Sequence, residues 1–114
     1  MFIHPLPSID AGIITISNTA KTLEDFIRDV AGAGGYRIPT GPRAANALFS
    51  QVLTNGIRYS VDGNTPTATK GFNAVAGDTV NLKGIDLSKV LLIRSTGSDA
   101  TMQIALAKLT AGEF

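Results

Sequence analysis

Over residues 57–62 the chain alternates with a period of two, Ile57, Tyr59 and Val61 against Arg58, Ser60 and Asp62. Such alternation puts three apolar side chains on one face and three polar ones on the other, the pattern of a half-buried strand. It stops at Asp62-Gly63, a dipeptide that tolerates positive φ. Pro66 then fixes φ where the chain cannot pair, and Gly71 precedes a further apolar run. The stretch predicts a strand, a stiff turn-rich loop and a new strand. Asp62, Gly63, Pro66 and Gly71 are read as structural turn residues that fix strand register.

The rest of the chain repeats this rhythm. Residues 12–17 are short and β-branched, and read as a strand. Residues 18–21 break it. Thr22 at an N-cap, with Asp25 three residues on, then opens one helix near residues 22–31. Leu23, Phe26, Ile27 and Val30 form its apolar stripe, Glu24 and Asp25 meet the positive end of its dipole, and Gly32, Gly34 and Gly35 terminate it. Residues 36–39 are expected to be a short edge segment, because Pro39 removes a ladder donor. Residues 44–53 suit a helix or a strand; the Asn55-Gly56 that follows selects a strand, as the first arm of a hairpin with the run from Ile57. Further strands are expected over 72–76, 79–83, 90–94 and about 102–107; residues 79–83 alternate cleanly, whereas the continuously apolar run at Val90 to Ile93 predicts cover on both faces. Seven or eight short strands at roughly ten-residue spacing indicate a mainly β protein, an antiparallel β-sandwich or jelly roll.

A chain of 114 residues is read as one sandwich domain over 12–114, preceded by an extended arm over 1–11 that contains two prolines. The arm either frays or reaches a neighbouring subunit, with Phe2, Ile3 and Leu6 as anchors. At 44% hydrophobic and 17% charged, the composition is more apolar than a typical soluble domain, as expected where a partner covers part of the surface. Ten basic and nine acidic residues leave a net charge of +1, too balanced for a dedicated nucleic-acid binder. The N-terminus has no basic region followed by an apolar run, and no stretch approaches the roughly 20 apolar residues of a membrane span. The reading is of a protein made in a reducing, intracellular compartment.

The residue types that carry chemistry are sparse. There is no cysteine, and His4, the one histidine, sits beside Pro5 in the arm without an orienting carboxylate, which argues against a nucleophilic triad and against zinc. The Gly-rich 31–35 follows a helix instead of opening one, so it reads as a helix end and not a phosphate loop. Asp62, Asp78, Asp86 and Asp99 each stand beside turn residues, where aspartate usually bonds the backbone two residues on. No calcium-hand spacing joins them. Arg37 and Arg43 flank the proline-containing loop and are candidates for a partner contact; Arg58 and Arg94 are expected to face solvent or an interface. No enzyme activity and no cofactor are expected.

The run over residues 57–71, read as Arg58-Tyr59, Asp62-Gly63, Thr65-Pro66-Thr67-Ala68 and Gly71, resembles a pattern in small structural proteins of tailed bacteriophages. In that pattern a Gly-Asp strand and an Ile-Arg…Asp-Ala-Thr-Leu close follow. Gly77-Asp78, Ile93-Arg94 and Asp99-Ala100-Thr101-Met102 fill those places in order, Met102 being a volume-conserving exchange for leucine. The resemblance covers roughly residues 13–107. It implies a jelly-roll-like capsid cement or decoration protein on the virion exterior, assembled in the host cytoplasm, with the major capsid protein as partner and a second copy of itself in a homodimer. On the charge balance and the short apolar stretches noted above, neither a nucleic-acid nor a membrane partner is expected. A tail or baseplate component is an alternative within the virion. The Ile57-Arg58-Tyr59…Asp62-Gly63…Pro66 run also resembles small sandwich modules attached to polysaccharide-degrading enzymes, which would make the chain a carbohydrate-binding or spacer module.

Overall fold

In a computed structural model of the chain, the described residues are 4–5, 12–30, 34–38 and 45–109. Phe2, Ile3, Leu6, Pro39 and Arg43 lie outside them. The strands are β1 (His4–Pro5), β2 (Gly12–Ile16), β3 (Lys21–Thr22), β4 (Ala47–Thr54), β5 (Ile57–Ser60), β6 (Phe72–Ala74), β7 (Thr79–Lys83), β8 (Leu91–Arg94) and β9 (Ala100–Lys108). One short helix, α1 (Leu23–Arg28), and a 3-10 turn, Leu87–Lys89, complete the regular structure.

The strands form two antiparallel sheets. In the first, β1 and β2 share one edge of β9, followed by β4 and β7; in the second the order is β3, β8, β5, β6. The partners run as a nested series, β2 with β9, β3 with β8, β4 with β7 and β5 with β6. The chain is therefore one long hairpin whose successive pairs fall alternately in the two sheets. Pairing of β4 with β9 and of β5 with β8 seals the roll. This is the jelly roll, an antiparallel sandwich in which winding a single ribbon generates both Greek keys. The tip of the ribbon is the loop between β5 and β6, residues 61–71.

The core lies between the sheets and follows from the alternation. Ile14 and Ile16 of β2, Leu48 and Val52 of β4, Ile57 of β5, and Met102, Ile104 and Leu106 of β9 are all buried. Each such side chain contributes about 1.5–3 kcal/mol on burial, more than any surface contact described below. Ser50 and Ser60 are the buried polar residues among those described, and the Ser50 hydroxyl donates to the Val80 carbonyl at 2.6 Å. Leu23, Phe26 and Ile27 bury the apolar stripe of α1 against the same core, while Val30 is only half-buried.

α1 begins where the capping pattern puts it, with Thr22 Oγ1 accepting from the Asp25 amide at 3.2 Å. It ends earlier than expected. Asp29 is the C-cap, its N–H returning to the Asp25 carbonyl, so the helix closes before Gly34 and Gly35 are reached. Three other expectations are corrected. Residues 36–38 form no strand; Glu24 Oε1 takes the Ile38 amide at 2.7 Å and Arg28 Nε donates to the Tyr36 carbonyl at 2.7 Å, which ties the segment to α1 instead of a sheet edge. Asn55-Gly56 is not a hairpin turn, because β4 and β5 belong to different sheets. Asn55 has φ +59° and Gly56 passes so close to β8 that a Cβ there would lie 2.6 Å from Ser95 Oγ, so the dipeptide is the corner by which the ribbon changes sheet. Finally, β8 is not covered on both faces: Val90 and Leu92 are buried, but Leu91 and Ile93 on the other face are only half-buried.

Candidate functional site

The tip loop is built by its own polar groups. Asp62 Oδ1 accepts from the Asn64 amide at 3.1 Å and Oδ2 from its side-chain nitrogen at 2.9 Å, an Asx turn. Ser60 Oγ donates to the Asn64 carbonyl. Gly63, at φ +84°, sends its N–H across to the Lys89 carbonyl at 3.1 Å, anchoring the tip to the turn before β8. The second half is a tight turn in which the backbones of Thr67 and Lys70 bond each other, with Thr67 Oγ1 taking the Lys70 amide at 3.0 Å. Pro66 is buried, although it stands in a loop.

Gly71 closes the loop. Its φ is +114°, and a Cβ built there would lie 2.9 Å from the Tyr59 carbonyl oxygen and 3.2 Å from Pro66 Cβ. Only glycine fits this approach without displacement of backbone. The Gly71 carbonyl in turn accepts from Arg58 Nη1 at 3.1 Å. Arg58 is thus a half-buried clamp on the loop, and its Nε is buried without a partner among the described residues.

Between the loop and β5–β6 lies an open cleft of about 450 Å³. Tyr59, Pro66 and Phe72 supply its apolar wall; Asp62, Asn64 and Lys70 supply polar groups at its margin. Tyr59 is half-buried, so it serves core and cleft together, and its ring centroid is 5.4 Å from that of Phe72. Phe72 itself is 60% exposed, so most of its ring faces solvent. The four turn residues singled out in the sequence, Asp62, Gly63, Pro66 and Gly71, all lie in this one loop, three of them on the cleft.

The other aspartates divide by role. Asp86 caps the 3-10 turn, accepting from the Ser88 hydroxyl at 2.6 Å and the Ser88 amide at 3.0 Å; these bonds, and Lys89 nearby, hold its carboxyl below the usual carboxylate range. Asp78 reaches back to the Val75 amide at 2.9 Å and not forward as expected. Asp99 pairs with Arg94 at 2.5 Å, which bridges the two arms of the β8–β9 turn, while the Asp99 carbonyl accepts from the Asn55 side chain at 2.8 Å. Arg37 is exposed on the segment beside α1 and is remote in sequence from the tip. On that segment Tyr36 has a buried hydroxyl without a hydrogen-bond partner among the described residues; burial first, and the Glu24 charge second, push its pKa up.

Two features escaped the sequence reading. Asn46 is a clasp: its side chain donates to the Leu109 carbonyl at 2.9 Å and accepts from the Leu109 amide at 2.7 Å, while its carbonyl takes the Gly84 amide at 2.8 Å. A single asparagine in a loop carries no motif that would reveal this. The other is the outward face of the first sheet, where Lys83 alone is charged among the outward positions of β2, β4, β7 and β9. Among the described residues no group of three histidine, aspartate or glutamate side chains could hold a metal ion, and no helix is long and apolar enough to cross a membrane. A scan against protein-family models and a search of curated proteins both find no match.

Proposed function

We propose that the chain is a cement or decoration protein of a tailed bacteriophage, which binds the exterior of the assembled shell of major capsid protein and stabilises it. The observation that carries this reading is the part the phage-like residues play in the roll. Arg58 holds the Gly71 carbonyl, Gly71 lies against Pro66, Asp62 folds the Asx turn with Asn64, and Arg94 and Asp99 hold the β8–β9 turn. A pattern made of such turn-holding residues marks a shared scaffold more than a shared reaction. The jelly roll itself is used by capsid proteins and by lectins, which keeps the two readings of the sequence in competition.

Stabilisation needs no chemistry. A ligand that binds the intact shell and not its ruptured states lowers the free energy of the intact form, by about 2.7 kcal/mol per site at a hundredfold excess over Kd. Many equivalent sites make a modest affinity sufficient. The test is co-sedimentation of purified protein with expanded shells that lack it. Saturable binding is expected, and its absence overturns the proposal.

One observation favours the carbohydrate reading. The Tyr59–Phe72 pair and the polar margin of the tip cleft have the make-up of a small sugar site, an apolar ring face beside donors and acceptors. Retention on a polysaccharide column that is lost in Phe72→Ala, without binding to shells, would decide for it.

A further inference from the structure

The strand β6 ends its sheet without protection. It pairs with β5 alone, and the backbone N–H and C=O groups on its other side meet no partner among the described residues. The run 71–77, Gly-Phe-Asn-Ala-Val-Ala-Gly, carries neither charge nor proline, and Phe72 and Val75 stand 60% and 49% exposed in it. Sheet ends are ordinarily guarded by lysine, proline or a covering segment, because a free row of backbone groups is a template for another chain. Here β1 contains Pro5, β3 Lys21 and β7 Lys83. β2 is uncharged too; β6 differs from it in having a cleft alongside, with Phe72 as part of the wall.

We infer that β6 is a docking edge for an extended peptide segment of another protein, one that brings an apolar side chain for the tip cleft and a carboxylate for Lys70. Each part of this occupant answers a feature of the site. Free backbone groups along a strand are matched by another extended backbone, whereas a sugar would leave them bare. An added strand sets every second side chain on the Phe72 side, over the cleft. The charges at the margin are not equivalent. Both Asp62 oxygens are committed to Asn64, while the Lys70 ammonium has no ion-pair or hydrogen-bond partner among the described residues. The free charge is therefore positive. A second copy of the chain fits less well, because the large side chains its own edge brings are Phe72 and Val75; neither is acidic, and Phe72 already forms the wall. The Asp78 carboxylate takes the Val75 amide at 2.9 Å, so the free edge ends at Ala74. So short an edge makes few main-chain bonds, and the side chain in the cleft supplies most of the affinity.

The inference needs no shell and is tested on the isolated protein with a displayed library of short random peptides, followed by titration of the selected peptide in synthetic form. The expected selection is a proline-free sequence with an apolar residue and an aspartate or glutamate at fixed spacing. Phe72→Ala should weaken the synthetic peptide about tenfold or more. Lys70→Glu should select basic residues in place of acidic ones. Methylating the peptide's backbone nitrogens one at a time should abolish binding at alternate positions of the paired stretch and spare those between, because alternate N–H groups of an added strand face β6. Phe72 and Lys70 are exposed, and circular dichroism checks that each variant is folded; Val75→Lys, which sets a charge at the end of the edge, serves if either is not. Lys83→Glu, on β7, should leave binding intact. A library that yields no sequence overturns the inference, as does a selected peptide indifferent to Phe72→Ala and Val75→Lys, to charge reversal at Lys70, or to every methylation. So does a wild type whose edge is taken by a second copy, seen in sedimentation as a dimer that Val75→Lys dissociates. Because no shell is present, each failure leaves the proposed shell binding standing.

Discussion

Replacing Gly71 by alanine tests whether the tip loop is packed on the roll or merely tethered to it. Two penalties combine. An L-residue held at φ +114° is strained by about 1–2 kcal/mol. The new methyl would also stand 2.9 Å from the Tyr59 carbonyl oxygen and 3.2 Å from Pro66 Cβ, and neither is the free end of a flexible side chain. Overpacking of that kind costs about 1–3 kcal/mol, so the expected loss is about 3 kcal/mol. Against a total stability of roughly 5–15 kcal/mol, that corresponds to a fall in Tm of roughly 10–20 °C. Gly63→Ala is the internal control: φ is +84°, but nothing lies within 4 Å of the new Cβ, so only the strain of about 1 kcal/mol applies. Urea unfolding with an unchanged m-value compares the two. Equal losses in both variants would refute the reasoning, because the tip would then open locally without disturbing β5 and β6.

Three further perturbations follow from single residues. Asn46→Ala removes both side-chain bonds to the Leu109 backbone and should cost about 2 kcal/mol by urea denaturation, because the N–H and C=O of this buried residue lose their partner. Asp62→Ala loses an exposed Asx turn and should cost about 1 kcal/mol, with the fold retained by circular dichroism. Since the folded-state pKa of Asp86 lies below its ordinary 3.8, its stabilising contribution is complete above that value and fades as pH falls through the lower, folded one. Asp86→Asn should therefore lose less stability than wild type on acidification through that window, measured as the urea midpoint against pH.

The parts of the fold that were legible in the sequence are those decided within a few residues. The alternation of Ile57, Tyr59 and Val61, the cap at Thr22, and the turn chemistry of Asp62, Gly63 and Gly71 each reflect one local constraint. Asn55-Gly56 was misread because a positive φ announces that the chain bends, not which sheet it bends into. That choice is made by β8 and β9, some forty residues later, which claim β5 and β4 respectively. β3, two residues long, is too short to have a period. The candidate cleft was half legible. Its turn residues stood out, but Phe72 becomes exposed only because β6 is the edge of its sheet, and edge position is a property of the whole topology. The neutral outward face was hidden for the same reason, since Ile13, Gln51, Asn81 and Gln103 become neighbours only through the register of four strands.

Shell stabilisation is the central proposal, and heating the shells measures it directly. Expanded phage shells that lack the protein would be scanned by calorimetry with increasing amounts of it added. The account predicts a rupture temperature that rises with added protein and then saturates, as binding to the intact shell alone requires. A rupture temperature that does not move, at concentrations where the same protein is retained on a polysaccharide matrix through Phe72, would contradict it.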